Sequence, residues 1–95
     1  MLRDIDVIFE KIVTHELGHH FYYYRDTKGG AFEDLCWKSG AVRNSACKAK
    51  DFVTDYAQTL STEDYAEHFM YRFLGLVEND TAILQKKSDH FDQYK

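Results

Sequence analysis

His15-Glu16-Leu17-Gly18-His19 stands in the middle of a stretch, Arg3 to Arg25, whose only glycine is Gly18 and which has no proline. Apolar residues recur there at helical spacing. Ile8, Ile12, His15, His19 and Tyr22 or Tyr23 fall on one face, and Phe9, Val13 and Leu17 form an adjacent stripe. The pattern predicts a long helix with two apolar stripes, and therefore a central one. Residues i and i+4 of a helix lie one turn apart, about 5–6 Å between Cβ atoms, so His15 and His19 share a side. Gly18 lacks a Cβ and lets a neighbouring segment approach closely. Lys28-Gly29-Gly30 is expected to stop the helix, with Gly available for a left-handed cap.

The 95 residues make one domain, 1–95, with room for a single modest core. Twelve Lys and Arg against 16 Asp and Glu give a net charge of −4, and no stretch is locally basic. That balance excludes an electrostatic footprint for nucleic acid. Apolar runs of only a few residues exclude a membrane-spanning helix. The start, Met-Leu-Arg-Asp-Ile-Asp, carries acids where a signal peptide needs a basic and then an apolar region, so a cytoplasmic location is expected. Cys36 and Cys47 fit neither a Cys-x-x-Cys pair nor a zinc ribbon. They read as two reduced thiols, the alternative being a disulfide that closes a short loop.

The fold class that follows is mainly α with a small β-ribbon (α+β). Ala31–Trp37 and Lys50–Asp55 read as short extended segments bracketing a loop at Ser39, Gly40, Asn44 and Ser45. Ser61-Thr62-Glu63-Asp64 reads as an N-cap Ser followed by a near capping box. It opens a helix with Ala66, Phe69, Met70, Phe73, Leu74 and Val77 on its apolar face, running to Glu78. A weaker helix is expected from Thr81 to Tyr94, with Ile83, Leu84 and Phe91 as its large apolar residues.

His-Glu-x-x-His on a helix is a zinc-site pattern. Both imidazoles can reach one Zn2+ at about 2.0–2.1 Å, while Glu16, rotated off the metal axis, can hydrogen-bond a metal-bound water. His20 points elsewhere and is expected to face solvent or to sit behind the ligands. A catalytic zinc needs a third protein ligand. Glu63 and Glu67, at i and i+4 on the margin of an apolar face, are the candidates, because carboxylates there need a charged partner. His68 competes. It lies five residues from Glu63, roughly 140° around the helix, so the two cannot both face the metal.

These residues, with Phe52-Val53-Thr54-Asp55-Tyr56-Ala57 and Glu63-Asp64-Tyr65-Ala66-Glu67, resemble the gluzincin metallopeptidases. The likeness is to their lethal-factor-like branch and spans roughly residues 15–73. It implies a zincin-like minimal metallopeptidase domain that hydrolyses peptide bonds. His15, His19 and Glu63 would be zinc ligands, Glu16 the general base, and Tyr56 the donor to the developing oxyanion. Glu67 would orient a ligating histidine. The partner implied is a peptide or protein substrate.

The length is similar to that of the minigluzincins, which occur in forms held latent by their C-terminal segment and in which a histidine is associated with the third ligand. That likeness keeps His68 as alternative third ligand. It also makes residues 80–95 a candidate inhibitory or swapping segment, through which a homodimer could form. Asp89, His90 and Asp92 would then occupy zinc's open position. Two other readings stand beside the peptidase: a non-catalytic zinc-binding regulatory or interaction module, and the excised core of a larger peptidase. The intact Glu16 speaks against the module, since a purely structural site needs no base.

Overall fold

The first helix runs unbroken through the His-Glu-x-x-His motif, as its spacing predicts. The computed structural model describes residues 4–94, in which the elements are α1 (Asp4–Tyr24), α2 (Gly29–Cys36), β1 (Trp37–Ser39), β2 (Val42–Arg43), α3 (Ser61–Phe73) and α4 (Ala82–Asp92). Short 3-10 turns lie at Ala49–Asp51 and Tyr56–Gln58, between β2 and α3. The mainly helical class with a small ribbon matches the sequence reading. No helix among the described residues is long and apolar enough to cross a membrane.

α1 is not central. Ile5 is 72% exposed and Phe9 67%, and Ile8, Ile12, Val13 and Leu17 are exposed as well. The side of α1 that meets the rest of the chain is lined instead by buried Thr14 and Gly18 and by half-buried His15, His19, Phe21 and Tyr22. The reason is distance. A Cβ on Gly18 would lie 2.9 Å from Ala66 Cα and 3.1 Å from Ala66 O, so α1 meets α3 almost backbone to backbone. Only small residues fit such a crossing, and the bulky stripe turns outward.

The expected ribbon is corrected in its boundaries. Ala31–Cys36 is helical, with Gly29, Phe32 and Cys36 buried at helical spacing, and the second expected segment, Lys50–Asp55, begins inside the 3-10 turn Ala49–Asp51. The antiparallel ribbon is only Trp37–Ser39 against Val42–Arg43, paired Trp37 to Arg43 and Ser39 to Val42. No glycine cap ends α1. The Arg25 and Asp26 amides donate back to Phe21 O, and the Asp26 carboxylate accepts from Lys28 N.

Ser61 is the first helical residue of α3, not its N-cap, which is Leu60. Its amide donates to Gly40 O at 2.7 Å, tying the ribbon turn to the helix start. α3 stops at Phe73 rather than Glu78, because Gly75 takes φ of 72°, a left-handed conformation open to glycine. α4 begins where expected, its N-cap Thr81 accepting from Leu84 N.

Two clusters make the core. Phe32, Tyr65 and Phe91 pack in one, with ring centroids 5.0–5.6 Å apart. Cys36, Trp37, Cys47, Phe52 and Ala57 form the other. Cys36 and Cys47 are joined by a disulfide, which corrects the reading of two free thiols. Their Cα atoms lie 5.3 Å apart, within the range a bridge spans, because α2 and the loop after β2 share this cluster. Between the clusters Lys87 is fully buried, its ammonium 2.9 Å from Asp64 and 2.8 Å from Asp51 O. Trp37 Nε1 donates to the other Asp64 oxygen at 3.0 Å. Burial works against both charges, and only this closed set of partners offsets it.

Candidate metal centre

Gly18 sets the spacing between α1 and α3, and the side chains on either side of it meet across the gap. His15, His19 and Glu63 each offer one ligand atom, all within 4.8 Å of one another. His15 Nε2 lies 3.3 Å from Glu63 Oε2 and 3.1 Å from His19 Nε2, and His19 Nε2 lies 2.6 Å from Glu63 Oε1. Tetrahedral bonds of 2.0–2.1 Å put ligand atoms about 3.4 Å apart. The distances from His15 approach that value, while His19 lies at hydrogen-bond length from the other Glu63 oxygen. The donor set, two imidazoles and a carboxylate, is one that zinc accepts, and its atoms lie close enough together to hold a metal.

Each histidine has an assignable role. His15 Nδ1 is 2.8 Å from Glu67 Oε2, and Glu67 Oε1 accepts from the Thr54 hydroxyl at 2.7 Å. Nδ1 is therefore the donor, which leaves the His15 Nε2 lone pair facing the cluster. His19 Nε2 then donates to Glu63, so a proton sits where the three ligand atoms converge. The buried Glu67 carboxylate thus faces the His15 imidazole, and the buried Glu63 carboxylate that of His19.

An open recess of about 270 Å³ adjoins the cluster, lined by Lys11, Ile12, His15, Glu16, Tyr56, Glu67 and Met70. Glu16 is exposed and unclaimed by the cluster, free to act on a molecule in the recess. Tyr56 is 53% exposed, not a core aromatic, and its ring centroid is 5.9 Å from that of His15. The Glu63 carboxylate accepting from its hydroxyl raises the Tyr56 pKa, with burial and the charges of Glu67 and Glu16 adding to the effect. Tyr56 therefore stays a protonated donor at neutral pH.

His68 stands apart from the cluster. It is fully buried on the opposite side of α3, its Nε2 3.0 Å from Ser88 Oγ and its ring stacked on Phe91 at 5.9 Å. Burial, with Lys87 and Arg72 nearby, pushes its pKa down to about 3. Geometry thus brings Glu63, and not His68, to the two histidines. His20 faces solvent beside Tyr24, as expected.

Among the described residues, the C-terminal segment packs away from the recess. Leu84, Lys87, Ser88 and Phe91 are buried in the core, so α4 is an integral helix rather than a loosely packed tail. Asp89 accepts from Gln85, His90 pairs with Asp26 at 2.7 Å, and Asp92 pairs with Arg72, all away from the recess. Exchange of this helix between copies would have to pull Lys87 and Phe91 out of the core.

Thr54, Lys11 and Met70 are site residues that sequence reasoning passes over. Thr54 lies in a segment with no regular period, and its place in the Phe52–Ala57 segment gives it no role by itself. Lys11 and Met70 flank the motifs at helical spacing but carry no pattern of their own. No protein-family model, no curated protein and no solved structure matches this chain.

Proposed function

We propose that the chain is a zinc-dependent endopeptidase of the gluzincin type, a minimal zincin-like domain acting on a peptide or protein. The observation that carries the reading is the convergence of His15, His19 and Glu63 beside a recess that also presents Glu16 and Tyr56. A Zn2+ held by those three residues would supply Lewis acidity, polarising the scissile carbonyl and acidifying water.

The chain's own residues do the rest. Glu16, on the recess wall, accepts the proton of the attacking water and passes it to the leaving amine. Tyr56 donates its hydroxyl to the developing oxyanion, an interaction worth about 2.7–4 kcal/mol in comparable sites. Glu67 keeps His15 in the tautomer that presents Nε2 to the metal. The open recess leaves a path for an extended peptide past Ile12 and Met70.

The Cys36–Cys47 bridge supports an oxidising compartment as the place of action, in preference to the cytoplasm that the sequence suggests. The test is cleavage of a quenched fluorescent peptide library by the zinc-loaded protein. Cleavage that is lost with a chelator and in Glu16→Gln supports the reading. Activity that survives Glu16→Gln would sink it.

A further inference from the structure

The hydroxyl of Thr54 uses both of its hydrogen-bonding faces within the site. It donates to Glu67 Oε1 at 2.7 Å and accepts from Ala57 N at 3.1 Å. Glu67's other oxygen holds His15 Nδ1 at 2.8 Å, and Ala57 follows Tyr56 in the 3-10 turn. One side chain on the segment between the ribbon and α3 therefore touches two arms of the centre. One arm orients the first histidine. The other sets the turn that carries the tyrosine.

The orientation argument is chemical. A carboxylate has two equivalent oxygens and a freely turning end torsion. With Oε1 held by a hydroxyl donor, Oε2 stays on the His15 side. His15 Nδ1 then donates to Oε2, and Nε2 is the ring nitrogen that faces His19 and Glu63. The Ala57 bond is a side-chain-to-backbone turn closure, of the kind Ser and Thr make three residues ahead. It fixes the start of the Tyr56–Gln58 turn against the same hydroxyl.

We propose that Thr54 is a positioning residue that couples the His15–Glu67 pair to the Tyr56 turn, setting both the metal-ready tautomer of His15 and the placement of Tyr56. The proposal rests on the metal reading above for its functional meaning, but its structural content can be tested without metal. In metal-free protein labelled with 15N-histidine, His15 should appear as a fixed Nδ1–H tautomer. Thr54→Val keeps the shape and removes the hydroxyl, and should release His15 into a tautomer mixture. It should also weaken zinc binding about tenfold, at the low end of the 10–100-fold seen for residues that support metal ligands. Thr54→Ser keeps the hydroxyl and should restore both properties.

Wild-type affinity and an unchanged His15 in Thr54→Val would overturn the proposal, as would equal losses in the Val and Ser variants. A mobile or Nε2–H His15 in the metal-free wild type would overturn it even if Thr54→Val failed to fold. If the wild type shows the fixed tautomer but takes up no zinc, the metal reading fails while the coupling stands.

Discussion

Gly18→Ala tests the geometry on which the centre depends. In an exposed helix this change stabilises by about 1 kcal/mol, because Ala loses less backbone freedom than Gly. Here the new methyl would stand 2.9 Å from Ala66 Cα, 3.1 Å from Ala66 O and 3.2 Å from Phe69 Cβ. Ordinary contact begins at 3.4 Å, so the closest approach is 0.5 Å short, and the groups in the way are backbone that cannot swing aside. Overpacking of this kind costs about 1–3 kcal/mol. With backbone as the obstacle the upper end applies, and about 3 less the 1 gained leaves a net loss of about 2 kcal/mol. For a domain of this size that lowers Tm by roughly 10 °C. Relief requires α1 to back away from α3, which draws His15 and His19 off Glu63. Thermal unfolding of the metal-free variant, followed by zinc titration, measures both effects. A Gly18→Ala protein that melts higher than wild type and binds zinc equally well would refute the close crossing.

Three other perturbations probe the scaffold. Lys87→Met leaves the Asp64 carboxyl buried beside Trp37 without its ammonium partner, and should cost about 3–5 kcal/mol in urea unfolding, whereas a shallow loss would mean Lys87 is solvated. His68, with a folded pKa near 3 against about 6.5 unfolded, is buried neutral, so its contribution is complete above pH 6.5 and is lost as pH falls toward 3. Going from pH 7 to 5 crosses about 1.5 units of that window and should remove about 2 kcal/mol, a pH slope that a folded His68 substitution abolishes and that an unchanged slope would deny. Replacing Cys36 and Cys47 together with Ala opens a loop of 11-residue separation and should lower stability by about 2–3 kcal/mol, read as the shift in urea midpoint.

The candidate site was more legible than the fold around it, for a physical reason. The i, i+4 relation of His15 and His19, and of Glu63 and Glu67, is a property of one helix, so local spacing carries it. The meeting of the two helices is not local. It was foreshadowed only by Gly18, whose missing Cβ permits the crossing at Ala66. The burial of α1 was misjudged because Ile5, Ile8, Phe9 and Ile12 outweigh Thr14 and Gly18 in hydrophobicity, while contact distance selects the small pair. α2 read as extended since Phe32 and Cys36 mark too few turns for a period. α4 reads as a weak helix because its main anchor is Lys87, a residue that pattern reading assigns to solvent and that Asp64, Asp51 and Phe52 together surround. Cys36 and Cys47 are separated by the whole ribbon, and their proximity follows from the α2-to-ribbon turn rather than from their spacing.

Zinc titration of metal-free wild type beside Glu63→Gln bears most directly on the claim that α1 and α3 share a metal. The wild type should bind one Zn2+ per chain and gain about 2.7 kcal/mol of stability at a free zinc concentration of 100 times Kd. Glu63→Gln should stay folded and lose most of that affinity and of that gain. A wild type that binds no zinc, or a Glu63→Gln variant that binds as tightly and is stabilised as much, would contradict it.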